Sequence, residues 1–157
     1  MDLIKENKFK KRAVFFDGKK YYKTWYFNDV RWLNEHISFL NKYAPDLVHD
    51  YTSTENSMTL IMNEVKGTPA NTFDHTDEFI DKIYKACVKN IEETSPWVHG
   101  DWVLSNIIIT DTDEVKFIDW DNINLYPKDA AIEKMHMDLE SAFGEKFKRY
   151  LNDTSSI

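Results

Sequence analysis

The chain carries the stretch WVHGDWVLSN at residues 97–106, followed by VKFIDWD at residues 115–121. Asp101 and Asn106 lie in the first stretch, and Asp119 directly follows an apolar run typical of a strand. One carboxylate can orient a hydroxyl, while an amide and a second carboxylate can hold Mg²⁺. Phosphoryl transfer needs little more, because its transition state depends on positioning and charge neutralisation. We therefore expect Asp101, Asn106 and Asp119 to be catalytic, with Asn106 and Asp119 as the metal ligands.

The overall composition excludes several classes of protein. The chain has 157 residues, of which 42% are hydrophobic, enough for one core or for one core split between two small lobes. A net charge of −7 argues against a nucleic-acid-binding surface. A single cysteine excludes an internal disulfide, and no apolar run reaches membrane-spanning length. The N-terminus lacks the apolar stretch of a signal peptide, so we expect a soluble, cytoplasmic protein with neither nucleic-acid nor membrane partners.

The first half of the sequence predicts a small antiparallel sheet with one helix. Asp17-Gly18 separates two strand-like segments, at 12–16 and 20–27, which is a strong hairpin signal. Apolar residues at helical spacing then extend to about Tyr43, after Asn28 or Asp29 as the helix cap, and a second hairpin follows. Residues 1–11 lack periodicity. We expect the basic cluster near the start of the chain to form a solvated, mobile arm made of Lys5, Lys8, Lys10, Lys11 and Arg12.

The second half of the sequence predicts a mostly helical part. The predicted elements are a helix at 77–93, strands at 107–109 and 115–118, and one long helix at 129–151. Gly144 is the weak point of that last helix, because glycine disfavours a helix interior. The first helix begins after a cap at Asp74 or Thr76. The polar segment before it is the predicted boundary between an N-terminal lobe, 1–67, and a C-terminal lobe, 68–157.

Lys23 lies among aromatic residues on the strand face that alternation turns inward. An unpaired ammonium in such a place would be costly. Either the stem of Lys23 packs while its charged head reaches water, or the ammonium points into a cleft and binds an anion. The strand alone leaves both interpretations open. On the following helix, Glu35 lies off the apolar stripe and is predicted to be a surface carboxylate.

These segments together resemble the protein-kinase-like superfamily, in particular its aminoglycoside phosphotransferase and choline kinase branch. The matching features are His-Gly-Asp at 99–101, the asparagine five residues after that aspartate, and Ile-Asp-Trp at 118–120. The resemblance implies an α+β, two-lobed kinase-like fold in strongly reduced form. A small antiparallel N-terminal sheet with one helix would be joined to a mostly helical, truncated C-terminal lobe. It also implies that Asp101 orients the acceptor hydroxyl and that His99 is a scaffold residue of the loop.

The same resemblance implies a function and a nucleotide site. The protein would use ATP and Mg²⁺ to phosphorylate a hydroxyl of a small molecule, such as a sugar, aminoglycoside or amino alcohol. Lys23 is similar to the lysine that contacts the ATP phosphates, and Glu35 to the helix glutamate that pairs with it. Residues 60–67 resemble the hinge whose backbone holds adenine. This likeness assigns Asn63 and Val65 to nucleotide binding.

Departures from the family pattern favour an alternative function. Only 4 glycines are present, and none forms a Gly-rich loop ahead of Lys23, so the first strand and loop of the usual N-terminal lobe are expected to be missing or replaced. One long helix after Asp119 leaves little chain for an acceptor pocket, which a second copy or a partner protein would then complete. The alternative is therefore a non-catalytic pseudokinase that binds nucleotide or other proteins.

Two further interpretations concern residues beside the proposed site. Asp119 and Asp121 fit the Asp-x-Asp motif of metal-dependent glycosyltransferases, although that motif is short and frequent and does not account for the His99 loop. Trp102 and Trp120 directly follow the two proposed catalytic aspartates. They either pack in the core or line the acceptor site.

Overall fold

A computed structural model of the chain describes residues 1–7, 12–26 and 30–155, with only the backbone described at 7, 30–34 and 155. The chain divides into two units, Met1–Val65 and Lys66–Ile157. An antiparallel sheet and a helix form the first unit, and helices with short strands form the second. The α+β class expected from the sequence, with an antiparallel N-terminal sheet and a helical C-terminal part, is confirmed.

The N-terminal unit is built on one antiparallel sheet. Its elements are β1 (Asp2–Asn7), β2 (Arg12–Phe16), β3 (Lys20–Trp25), α1 (Val30–Tyr43), β4 (Val48–Ser53) and β5 (Met58–Asn63). The strand order is β1-β2-β3-β5-β4, so β5 is an inner strand, as its continuous apolar sequence indicates. The Asp17 carboxylate accepts the backbone N–H groups of Lys19 and Lys20, each at 2.8 Å, and thereby stabilises the turn between β2 and β3.

Strand β1 corrects the expectation that Lys5 belongs to a mobile arm and that the first strand of the N-terminal lobe is missing, and Arg12 begins β2. It pairs antiparallel along the whole of β2. The sequence gives no signal for it, because β1 has one neighbour in the sheet and residues 1–6 are all exposed, so apolar alternation is not required. Several residues named above lie outside the described residues, namely Lys8, Lys10, Lys11, Phe27, Asn28 and Asp29.

The C-terminal unit is mostly helical. Its elements are β6 (Thr68–Pro69), α2 (Asp77–Thr94), β7 (Trp97–Val98), β8 (Ile107–Ile109), β9 (Val115–Phe117), β10 (Asn124–Leu125), α3 (Lys128–Phe143) and α4 (Glu145–Ser155). Strand β8 pairs with β6 and β9, and β7 pairs with β10. Thr76 is the residue that caps α2, since its hydroxyl accepts the N–H of Phe79 at 3.1 Å. None of the helices in the described parts of the chain is long and apolar enough to span a membrane.

The single long helix predicted at 129–151 is wrong, because α3 and α4 are separate helices divided at Gly144. Gly144 has a φ of 63°, a left-handed conformation that glycine adopts without steric cost. Its N–H donates to Glu140 at 2.8 Å and its carbonyl accepts from Phe147 at 3.0 Å, so one helix ends where the next begins. Phe143 and Phe147 both pack in the core of the unit. The apolar spacing therefore continues across the break and conceals it in the sequence.

Candidate active site

Two segments of the C-terminal unit lie side by side and carry the predicted catalytic residues. The first, 99–106, runs from the end of β7 to a short 3₁₀ turn before β8. The second, 118–123, runs from the end of β9 to β10. Because β7 pairs with β10 and β8 pairs with β9, both ends of one segment are held beside the ends of the other. We call these the catalytic loop and the metal segment.

His99 joins the two segments from the interior. Its side chain is completely buried, with Nε2 2.7 Å from the carbonyl oxygen of Ile118 and Nδ1 3.2 Å from the backbone nitrogen of Asp101. A carbonyl only accepts and a backbone N–H only donates, so a neutral ring protonated at Nε2 satisfies both bonds. Burial lowers the pKa of His99, against the opposing effect of its bond to Ile118 and of nearby carboxylates. His99 thus supports the loop as a neutral scaffold residue.

Two amide side chains hold one oxygen of the Asp101 carboxylate. Asn106 Nδ2 lies 3.0 Å from Oδ2 of Asp101 and 3.3 Å from its backbone oxygen. Asn122 Nδ2 lies 3.2 Å from the same Oδ2. A carboxylate only accepts, so both amides face it with their NH₂ groups and direct their oxygens elsewhere. Within the described residues, Oδ1 of Asp101 accepts no hydrogen bond.

Asp119 has a left-handed backbone, with φ 58° and ψ 67°. Positive φ is uncommon outside glycine, although aspartate tolerates it better than most residues. Backbone strain of this kind concentrates at functional sites. The preceding residue, Ile118, donates its N–H to the carbonyl of Asn106 at 2.9 Å. The two predicted metal ligands are therefore tied together through the backbone.

Gly100 permits the close approach of the two segments. Its φ is 81°, and a Cβ built on it would lie 2.6 Å from the carbonyl oxygen of Asn122. Real Cβ contacts do not occur at that distance. Only glycine fits between His99 and Asp101 without moving the metal segment.

We predict that Gly100→Ala destabilises the protein by about 2–4 kcal/mol, the sum of a positive-φ cost of roughly 1 kcal/mol and an overpacking cost of about 1–3 kcal/mol. The matched control is Gly18→Ala, because Gly18 also has positive φ (96°) but has no atom within 4 Å of the added Cβ. It should lose only about 1 kcal/mol. Chemical denaturation of the two variants measures the difference. Equal losses would show that Asn122 does not press on Gly100.

Sequence reasoning missed Asp138, which anchors the catalytic loop to α3. Its Oδ2 accepts the backbone N–H of Trp102 at 3.1 Å, and Lys134 Nζ lies 2.6 and 2.7 Å from its two oxygens. In the sequence, the spacing of Lys134 and Asp138 signals only an ion pair on one helix face. Asn122 was missed as well. Its nearness in sequence to Asp119 was the one available signal.

Trp102 and Trp120 do not line an acceptor site, which corrects that interpretation. Their exposed fractions are 0% and 4%, so neither ring reaches solvent. The Trp120 ring packs on His99 with ring centroids 4.6 Å apart, and its Nε1 donates to the carbonyl of Phe117 at 3.0 Å. Both tryptophans belong to the core that supports the loop.

The remaining predicted site residues lie in the N-terminal unit. Lys23 is 8% exposed on β3, with Nζ 5.6 Å from the centroid of the Trp25 ring. Glu35 is exposed on α1. Asn63 serves the sheet, because its Oδ1 accepts Lys20 Nζ at 2.7 Å and its Nδ2 donates to the Asp46 carbonyl at 2.9 Å. The predicted roles of these residues in nucleotide binding stay predictions.

Val65 is half-buried at the end of the same unit. Within the C-terminal unit, the structure brings together five residues, His99, Asp101, Asn106, Asp119 and Asn122.

Comparison with models of known protein families identifies the family of this chain. The model of the RIO domain matches residues 4–156, nearly the whole sequence. The chain belongs to the RIO domain family. Membership confirms the protein-kinase-like superfamily expected from the motifs. The narrower assignment to the aminoglycoside phosphotransferase and choline kinase branch stays a prediction.

Solved structures share the fold of this RIO domain. Aminoglycoside phosphotransferase APH(3'')-Id from Streptomyces rimosus, in complex with ADP and streptomycin, superposes with a TM-score of 0.70 at 16% identity, covering 92% of this chain and 82% of that one. Monomeric WbdD gives a TM-score of 0.61 at 14% identity, covering 85% of this chain but 37% of that one. The RIO domain therefore spans well under half of WbdD. No curated protein sequence matches the chain.

The donor set of the RIO domain fits Mg²⁺. The amide oxygen of Asn106 is directed away from Asp101, and a backbone hydrogen bond joins Asn106 to Ile118, the residue before Asp119. Mg²⁺ prefers oxygen ligands and is commonly bound by one or two carboxylates together with water and substrate phosphates. Among the described residues, no three His, Cys, Asp or Glu side chains are arranged to hold a metal. A site with one carboxylate and one amide is consistent with that finding.

Proposed function

We propose that this RIO domain is an ATP-dependent phosphotransferase that moves the γ-phosphate to a hydroxyl of a small molecule. The observation that carries the proposal is the asymmetric hydrogen bonding of Asp101, whose Oδ2 binds two amides while Oδ1 accepts none from the described residues. A carboxylate held in this way presents one oxygen to the acceptor hydroxyl and receives its proton during transfer.

The other site residues take roles that follow from their chemistry. Asn106 and Asp119 would hold Mg²⁺, which supplies charge neutralisation at the phosphates. Lys23 would contact the α and β phosphates as a point charge, with Glu35 as its ion-pair partner. Asn63 is the weaker of the two adenine contacts, because its backbone N–H already donates to Leu47 at 2.8 Å. Val65 is then the stronger one.

The identity of the acceptor is a proposal, because membership of the RIO domain family does not specify it. The predicted branch implies a sugar, aminoglycoside or amino alcohol, and APH(3'')-Id is a phosphotransferase of that kind. Two helices follow the metal segment here, α3 and α4. A second copy or a partner protein that contributes to the acceptor pocket is part of the proposal.

A pseudokinase is the second candidate. It is favoured by the lack of a Gly-rich sequence ahead of Lys23. It is opposed by the arrangement of Asp101 and its two amides, which a scaffold does not require. The glycosyltransferase alternative has no support from a kinase-like fold, and the Asp119-x-Asp121 spacing is its sole basis.

The test begins with thermal unfolding in ATP and Mg²⁺, followed by ADP release with a panel of hydroxylated metabolites. A ligand at one hundred times its Kd adds about 2.7 kcal/mol to stability. Stabilisation together with acceptor-dependent ADP release is the expected result. Stabilisation without turnover across the panel favours the pseudokinase. Stabilisation by nucleotide sugars but not by ATP would favour the glycosyltransferase, and no stabilisation by any nucleotide contradicts the proposal.

A further inference from the structure

We infer that Asn122 is a positioning residue for Asp101, whose carboxylate it orients toward the acceptor hydroxyl together with Asn106. The inference rests on the proposed phosphotransferase function. It adds to that function a residue outside the motif of aspartate and asparagine, contributed by the metal segment.

The backbone of Asn122 is fixed against the catalytic loop. Strands β7 and β10 pair Trp97 with Leu125 and Val98 with Asn124, and the same register continued inward sets Gly100 opposite Asn122. The carbonyl of Asn122 indeed lies so close to Gly100 that no Cβ fits between them. The backbone position from which the Asn122 side chain extends is therefore fixed. The register thus brings the Asn122 side chain, which is exposed, within 3.2 Å of Asp101.

The side chain of Asn122 supplies what Asn106 alone does not. A carboxylate held by one amide can still rotate about that single hydrogen bond. Asn106 and Asn122 approach the same oxygen, at 3.0 and 3.2 Å, from two different segments, so together they restrict the rotation of the Asp101 carboxylate. The second oxygen of Asp101 is thereby kept in one direction, which proximity effects on transfer require.

An amide is also the suitable group for this position. A lysine would neutralise the carboxylate that must receive a proton, and an aspartate would repel it. Asparagine orients Asp101 and leaves its charge unchanged. Asn106 has a second role at the metal, whereas Asn122 has none in the proposed mechanism. Removal of Asn122 therefore tests the orientation of Asp101 without altering a metal ligand.

The test compares steady-state kinetics of Asn122→Ala and Asn122→Gln with wild type, using ATP, Mg²⁺ and the best acceptor from the panel. Asn122→Ala should lower kcat about 10-fold, the effect of losing one hydrogen bond to a charged group, with KM for ATP unchanged. Asn122→Gln keeps the donor and should recover most of kcat. Asn122→Asp should lose more than Asn122→Ala, because it places two carboxylates in contact.

The matched control is Asn124→Ala. Asn124 lies in the same stretch and is exposed, but its side chain accepts the N–H of Leu125 at 2.8 Å and does not contact Asp101. Wild-type kcat in Asn124→Ala and reduced kcat in Asn122→Ala support the inference. Three results would overturn the inference about Asn122 while leaving the proposed function intact. These are a wild-type kcat in Asn122→Ala, an equal loss of kcat in Asn122→Ala and Asn124→Ala, and a rise in KM with kcat unchanged. Wild-type protein that turns over no acceptor overturns the proposed function and this inference together.

Discussion

Replacing Asp101 by asparagine is expected to lower phosphoryl transfer about 10²- to 10⁴-fold, the range that a positioned general base contributes. Binding of ATP and Mg²⁺ should stay close to that of wild type. The two effects separate because Asp101 is proposed to contact the acceptor, whereas the nucleotide is proposed to contact Lys23, Asn106 and Asp119. Few substitutions change the chemistry of the site so much with so little change of shape.

The hydrogen bonds around Asp101 explain why the asparagine variant should fail. Asn106 and Asn122 both present NH₂ groups to this position. A new amide at residue 101 must turn its oxygen toward them, which directs its own NH₂ group at the acceptor. A donor then faces the hydroxyl that needs an acceptor for its proton. The variant should fold normally and remain inactive.

ADP release measures the loss of transfer, and the thermal shift in ATP and Mg²⁺ measures the retained binding. Asp111→Asn is the control, because Asp111 is an exposed carboxylate in the turn between β8 and β9 of the same unit. It should behave as wild type in both assays. Normal turnover by Asp101→Asn would remove Asp101 from the mechanism.

The part of the site that could be predicted from the sequence is the part encoded locally. Asp101 and Asn106 lie within one loop, five residues apart, and their side chains are 3.0 Å from each other. Asp119 was found because it directly follows an apolar strand. Local turn chemistry likewise identified the β2–β3 hairpin, since Asp17 and Gly18 are adjacent in the sequence.

Contacts between distant residues could not be predicted in the same way. Asp138 binds the catalytic loop from 36 residues away, and Asn122 binds Asp101 from 21 residues away. Apart from the nearness of Asn122 to Asp119 in the sequence, nothing in the neighbourhood of either residue indicates a contact with the catalytic loop. Strand β1 and the break at Gly144 were missed for a different reason. Strand β1 has no alternating apolar pattern that could reveal it. At Gly144 the apolar pattern of a helix continues although the helix itself is interrupted.

Loss of the Asp119 side chain is expected to abolish the Mg²⁺ dependence of nucleotide binding and to lower turnover on the order of 10³-fold, because metal ions contribute several kcal/mol of charge stabilisation. Asp119→Asn removes the charge and keeps a residue that tolerates positive φ. Asp119→Gly removes the ligand and suits the φ of 58°. The glycine variant should therefore keep the backbone conformation of the metal segment while losing activity.

Asp113→Gly is the matched control for Asp119→Gly, since Asp113 has a nearly identical φ of 65° in an exposed turn. The thermal shift caused by ATP is measured once in Mg²⁺ and once in EDTA. The two values should differ from each other in wild type and in Asp113→Gly, and they should be equal in each of the Asp119 variants. If Asp119→Gly folds normally but is inactive, the site requires the carboxylate of Asp119 and not merely its backbone conformation. A Mg²⁺-dependent shift in Asp119→Asn would instead place the metal on other ligands, and the proposed pairing of Asn106 with Asp119 would be wrong.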